Sequence, residues 1–131
     1  MFKHILFPTD GSANADVAAQ SVMRFAKSVG ARVTAVHVLP VACQPAEPAP
    51  ELAGKYLLAI QQAAAEQAIG CEVQLATGDD VAQTILQTGF DRQCDLLALS
   101  SRGLGSTAQA PPGGATLRML TLSQIPVLVF R

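Results

Sequence analysis

The chain has 131 residues, half of them hydrophobic and 15% charged, with nine Lys and Arg against ten Asp and Glu for a net charge of −1. Such a composition supplies the core of one domain and carries no basic footprint for nucleic acid. The amino terminus MFKHILFPTD lacks the apolar run of a secretory leader, and no segment reaches the roughly 20 apolar residues that cross a bilayer, so a cytoplasmic protein with no membrane partner is expected.

Taken in order, KHILFP (3–8) reads as a short buried strand ending at a proline. Ser12 or Asn14 can cap the helix that follows, in which Ala18, Val22, Phe25 and Val29 form one apolar stripe and Gly30 provides a left-handed stop. RVTAVHVL (32–39) is rich in β-branched residues and predicts a second strand. The four prolines of PVACQPAEPAP (40–50) exclude regular structure there. Helical spacing returns through Leu52, Tyr56, Ile60 and Ala63 and closes at Gly70. CEVQLA predicts a third strand, and the aspartates of TGDD suit the cap of a third helix, VAQTILQTGF, with Val81, Ile85 and Leu86 inward. The continuous apolar run of DLLALS implies a central parallel strand buried on both faces. ATLRMLTLSQ is a last short helix and PVLVFR a fifth strand.

Strands and helices therefore alternate throughout. Right-handed crossovers then place helices on both faces of a five-stranded parallel sheet, an α/β three-layer sandwich forming a single domain over 1–131. In such sheets ligands bind at the carboxyl ends of the strands, where the chain reverses its direction across the sheet. Three loops there bear suitable groups: PTDGS, HVLP and SSRGLGSTAQAPPGG (100–114). The last holds four glycines and runs into a helix start, so it can be a phosphate cradle or an ordinary flexible connection.

KHILFPTDGS, VTAVHVLP, GDDVAQTIL, CDLLALSSRGLG and SQIPVLVF, in this order and spacing, resemble the universal stress protein family over nearly the whole chain. The resemblance implies a Rossmann-like fold of the adenine nucleotide alpha hydrolase type with sheet order 3-2-1-4-5, a homodimer formed through the last strand and, in one branch, ATP binding. That branch carries Gly, two residues, Gly, nine residues, Gly, then Ser or Thr. Here the pattern falls on Ser100, Gly103, Gly113 and Gly114, with LGSTAQAPP between, so the first glycine and the closing hydroxyl are replaced. By the same resemblance Thr9 and Asp10 lie near ribose and phosphates, with Asp10 helping to hold a nucleotide-bound Mg or Mn ion. Val38 offers its main chain to the adenine edge, Arg102 meets phosphate charge, and Ala115 and Thr116 place amides at the mouth of the last helix.

Plainer roles compete for the same residues: a capping carboxylate for Asp10, a strand-end valine for Val38, helix initiation for Ala115 and Thr116. His4 and His37 each lack the partner that a Ser-His-Asp or metal arrangement needs, and His37 reads as a strand residue near the sheet edge. Asp79 and Asp80 read as capping residues, and Cys43, Cys71 and Cys94, without CxxC spacing, as reduced thiols. With neither a GxSxG elbow nor a GxxxxGK[ST] loop, catalysis is expected to be slow if present. Three functions remain: an ATP-binding stress-response regulator, a dimeric interaction module that has lost its nucleotide, and a nucleotide hydrolase.

Overall fold

The computed structural model describes residues 2–9, 13–39, 49–100 and 114–130. Its elements are β1 (His4–Pro8), α1 (Ala13–Val29), β2 (Arg32–Leu39), α2 (Ala49–Glu66), β3 (Cys71–Thr77), α3 (Val81–Asp91), β4 (Leu96–Ser100), α4 (Gly114–Leu122) and β5 (Val127–Phe130). The five strands form one sheet of order β3-β2-β1-β4-β5, and every pairing is parallel. The alternation read from the sequence is thus the observed one.

Side chains alternate across this sheet and build two apolar layers. Ile5, Phe7, Val33, Ala35, Leu96 and Ala98 pack with Ala18, Val22, Met23 and Ala26 of α1 and with Leu57, Ile60 and Ala64 of α2. Leu6, Val36, Leu97 and Leu99 project to the other face and meet Ala82 and Ile85 of α3 and Met119 of α4. β1 is buried along its whole length, and β4 is buried except for its half-buried final Ser100. Full burial of each large side chain contributes about 1.5–3 kcal/mol, so the two central strands dominate the apolar stabilisation.

Three helices hand the chain to the next strand by one device. Ala31 N donates to Ala26 O, Ile69 N to Ala64 O and Cys94 N to Gly89 O, each at 2.9 Å. In each case the preceding residue is left-handed: Gly30 at φ 73°, Ala68 and Gln93 at 59°. This six-to-one bond satisfies a last-turn carbonyl and turns the chain inward, and Ala31, Ile69 and Cys94 are accordingly buried. Only the first turn uses glycine. The stop expected at Gly70 falls instead at Ala68, because the helix ends at Glu66 and the left-handed position is set two residues beyond it. Two further boundaries differ from expectation. α2 begins at Ala49 and takes Pro50 into its first turn, where a missing amide hydrogen costs nothing. Asn14 lies inside α1 and cannot be its cap, while Ser12 falls outside the described residues.

At the amino ends of the strands Asp95 joins β4 to β1. Its carboxylate accepts from Lys3 N at 2.9 Å and from His4 N at 3.0 Å, and its own amide donates to His4 O at 2.9 Å. Partial burial alone would raise the Asp95 pKa, but these amides outweigh it and hold the group below the ordinary carboxylate value. His4 is buried, its Nε2 hydrogen-bonded to Thr34 Oγ1 and its Nδ1 without a partner. Burial, with Arg32 nearby, lowers its pKa from 6.5.

Substituting Ala68→Gly should raise stability by about 1 kcal/mol, since a Cβ is disfavoured by roughly 1–2 kcal/mol in the left-handed region and glycine loosens the unfolded chain in return. Equilibrium urea unfolding checks this, and an unchanged or lower midpoint would contradict the turn assignment. Acidification should destabilise the protein in two stages. The unfolded chain protonates His4 first as pH falls through 6.5, and stability held by Asp95 disappears below the ordinary carboxylate range as pH falls through its lowered value. Melting temperatures recorded from neutral pH downward should lose the upper stage in His4→Gln and the lower stage in Asp95→Asn.

Candidate functional site

The chain leaves β1 through α1 toward β2 on one side, while β4 joins β1 on the other. The β1/β4 boundary is therefore where the order reverses, and its carboxyl end is the expected ligand crevice. Along β1 the odd-numbered residues direct their amides and carbonyls to β2: Lys3 O accepts from Arg32 N at 3.0 Å and Thr9 N donates to Val36 O at 2.9 Å. Even-numbered residues face β4, as the bond from Asp95 N to His4 O shows. Pro8 occupies such a β4-facing position and has no amide hydrogen. The β1/β4 ladder accordingly ends at Leu6↔Leu97, although the register Ile5↔Leu96 would bring Thr9 level with Ser100.

On the opposite edge β2 outruns β1. Their pairing ends at Pro8↔Val36, whereas β2 continues against β3 through Val38↔Ala76 and Leu39↔Thr77. Val36 O faces β1, so the main chain of His37 faces β3 and that of Val38 returns to the β1 side. A continued ladder would have Val38 N–H donate to Thr9 C=O. That carbonyl instead accepts from Nδ1 of His37 at 2.8 Å. Because a carbonyl can only accept, the ring proton sits on Nδ1. The amide and carbonyl of Val38 are thereby directed past the end of β1, outside its ladder.

Among the ten residues singled out from the sequence, the structure brings Thr9, Val38 and Ser100 to the carboxyl edge of three adjacent strands. Thr9 is buried, and Val38 and Ser100 are half-buried. Gly114, Ala115 and Thr116 form the first turn of α4, whose amides are a source of positive potential. Asp10, Arg102, Gly103 and Gly113 lie outside the described residues, as does Cys43. Sequence reading passed over Pro8 and His37. The signal for both was present, a proline closing a central strand and one imidazole within an apolar strand, but their effect needs the register.

Beside this edge lies an open crevice of about 410 Å³ lined by Asp79, Asp80, Val81, Ala82 and Arg118. Asp80 caps α3 as expected, its Oδ1 accepting from Gln83 N at 3.2 Å, and its Oδ2 also binds Arg118 of α4 at 3.0 Å. Val81 and Ala82 belong to the same apolar cluster as Val38 and Met119. Two carboxylates against one paired guanidinium make this crevice unfavourable for a polyphosphate and compatible with hydroxyl or amino groups. Burial pushes the Cys71 and Cys94 thiols up to about 11, which keeps them protonated and poor nucleophiles. Among the described residues no group of three or more His, Cys, Asp or Glu side chains is placed to hold a metal ion.

A parallel sheet of order 3-2-1-4-5 defines a Rossmann-like α/β fold. The universal stress protein family model matches residues 1–131, and the chain belongs to that family. A universal stress protein of Synechocystis sp. is 33% identical over 98% of this chain and 85% of its own length. In fold the chain is similar to a universal stress protein from Archaeoglobus fulgidus in complex with dAMP, with TM-score 0.82 and 15% identity, covering 99% of this chain and 98% of that one. It is likewise similar to a universal stress protein in complex with cAMP, with TM-score 0.77 and 18% identity, covering 99% and 97%.

Proposed function

We propose that this universal stress protein binds an adenine nucleotide at the carboxyl ends of β1, β2 and β4 and serves as a stress-response regulator rather than as a fast enzyme. The observation that carries the reading is the main-chain pair of Val38, a donor and an acceptor on the β1 side of β2 and outside the β1 ladder. That pair matches the adenine edge, which presents one acceptor and one amino donor. The base then lies toward the β2/β3 side, where Val81 and Ala82 supply apolar contact and Asp79 and Asp80 suit hydroxyl or amino groups. Phosphates lie toward Ser100, Arg102, Gly103, Gly113 and the first turn of α4 at Gly114, Ala115 and Thr116. Thr9 and Asp10 stand between the two, with Asp10 able to share a Mg or Mn ion carried by the nucleotide. The relatives that hold dAMP and cAMP support an adenine nucleotide as the ligand class.

Titrating Mg-ATP into the purified protein should raise its melting temperature, because ligand at 100 times Kd adds roughly 2.7 kcal/mol. Gly103→Val, which adds bulk where a phosphate must approach the backbone, should abolish the shift while leaving the ligand-free melting temperature unchanged. No shift with millimolar ATP in the wild-type chain would leave the nucleotide-free interaction module as the better account.

The second half of the proposal concerns assembly. β5 pairs only with β4 and so forms one edge of the sheet, its Val129 exposed. An uncovered edge offers amides and carbonyls to another strand, and the match that lets an identical strand pair with it is a second copy related by a two-fold axis. Sedimentation equilibrium at micromolar concentration should give a dimer that Val129→Pro converts to monomer; a wild-type monomer would end this part of the reading.

A further inference from the structure

The imidazole of His37 has no role in the sheet's own hydrogen bonding, yet it spends its Nδ1 proton on the one carbonyl that decides how far the β1/β2 ladder runs. With Thr9 N already bonded to Val36 O, the next rung would join Val38 N–H to Thr9 C=O. Forming it would draw Val38 against β1 and consume its amide donor. The His37 ring supplies this carbonyl with a donor from the side-chain direction, so the acceptor is satisfied where the β1/β2 ladder stops at Pro8↔Val36. Thr9 is buried at 3% exposure and tied on both its amide and its carbonyl, so the carboxyl end of β1 is fixed.

We propose that His37 is a positioning residue for purine recognition: by occupying the Thr9 carbonyl, it keeps the Val38 amide and carbonyl available to the base edge. This inference rests on the nucleotide reading above and extends it to a residue that touches neither base nor phosphate. Its signature is selectivity. A ligand with a purine base depends on His37, whereas a chain of phosphates alone does not.

The test compares ATP with inorganic tripolyphosphate by titration calorimetry on the full chain. His37→Phe keeps a ring of similar size without a donor, and should weaken ATP about tenfold while leaving tripolyphosphate within about twofold of wild type. His37→Asn places an amide donor where Nδ1 stands and should restore ATP affinity to within about threefold. Equal weakening of both ligands in His37→Phe would overturn the proposal, since that is the result of a general loosening of the site. Unchanged ATP affinity would overturn it as well. A measurement on the wild-type chain guards against a variant that fails to fold: the Val38 amide resonance should move on adding adenosine and stay still on adding tripolyphosphate, and a Val38 signal blind to adenosine refutes the role. Failure of the wild-type chain to bind either ATP or adenosine removes the nucleotide reading itself, whereas normal wild-type binding with an indifferent His37→Phe removes this inference alone.

Discussion

Within two residues at its carboxyl end, the central strand β1 parts from both of its neighbours, and the candidate site exists because it does. On the β4 side the cause is covalent. Pro8 faces β4 and brings no hydrogen to the next rung, so pairing ends at Leu6↔Leu97. On the β2 side pairing ends at Pro8↔Val36, where the Thr9 carbonyl accepts from His37 at 2.8 Å. Were either ladder to continue, further main-chain groups of β1 and its neighbours would be spent within the sheet. An opened switch point is what lets a parallel sheet offer unpaired main-chain donors and acceptors without exposing a long edge.

The opposite end of the sheet is built for stability. Asp95 draws the first amides of β1 and its own amide into one knot, His4 fills the adjoining interior, and three helices enter their strands through the same left-handed turn. Both apolar layers press on β1 and β4, which leaves these strands no freedom to shift register. Anchoring the amino ends in this way lets the carboxyl ends diverge without loosening the sheet. Binding groups carried by those ends are consequently held on a rigid base, the arrangement that reduces the entropy lost when a ligand is fixed.

Charge divides the carboxyl edge into two regions. Asp79 and Asp80 lie by the start of α3, and the pairing of Asp80 with Arg118 ties α3 to α4. The amides of the first turn of α4 carry the opposite polarity. A nucleotide is polar in the same sense, with neutral base and ribose at one end and anionic phosphates at the other.

Most of the architecture was legible in the amino-acid sequence, for a local reason. Strand and helix periods, the buried run of DLLALS, Gly30 as a stop and Asp80 as a cap all depend on neighbours a few residues away. The order of the sheet followed from resemblance to a family and was not implied by periodicity. Where local reasoning missed, geometry had overridden residue preference: Ala68 took the turn that Gly70 suggested, and Pro50 entered a helix that its neighbouring prolines seemed to forbid. The sequence by itself determined which segments would be strands and helices and which loops held glycine and carboxylate. Tertiary structure alone decided that Pro8 faces β4, that the Val38 main chain falls outside the β1 ladder and that His37 reaches Thr9. Those facts depend on the parity of one strand against another, and register is fixed only when both faces of the sheet are packed.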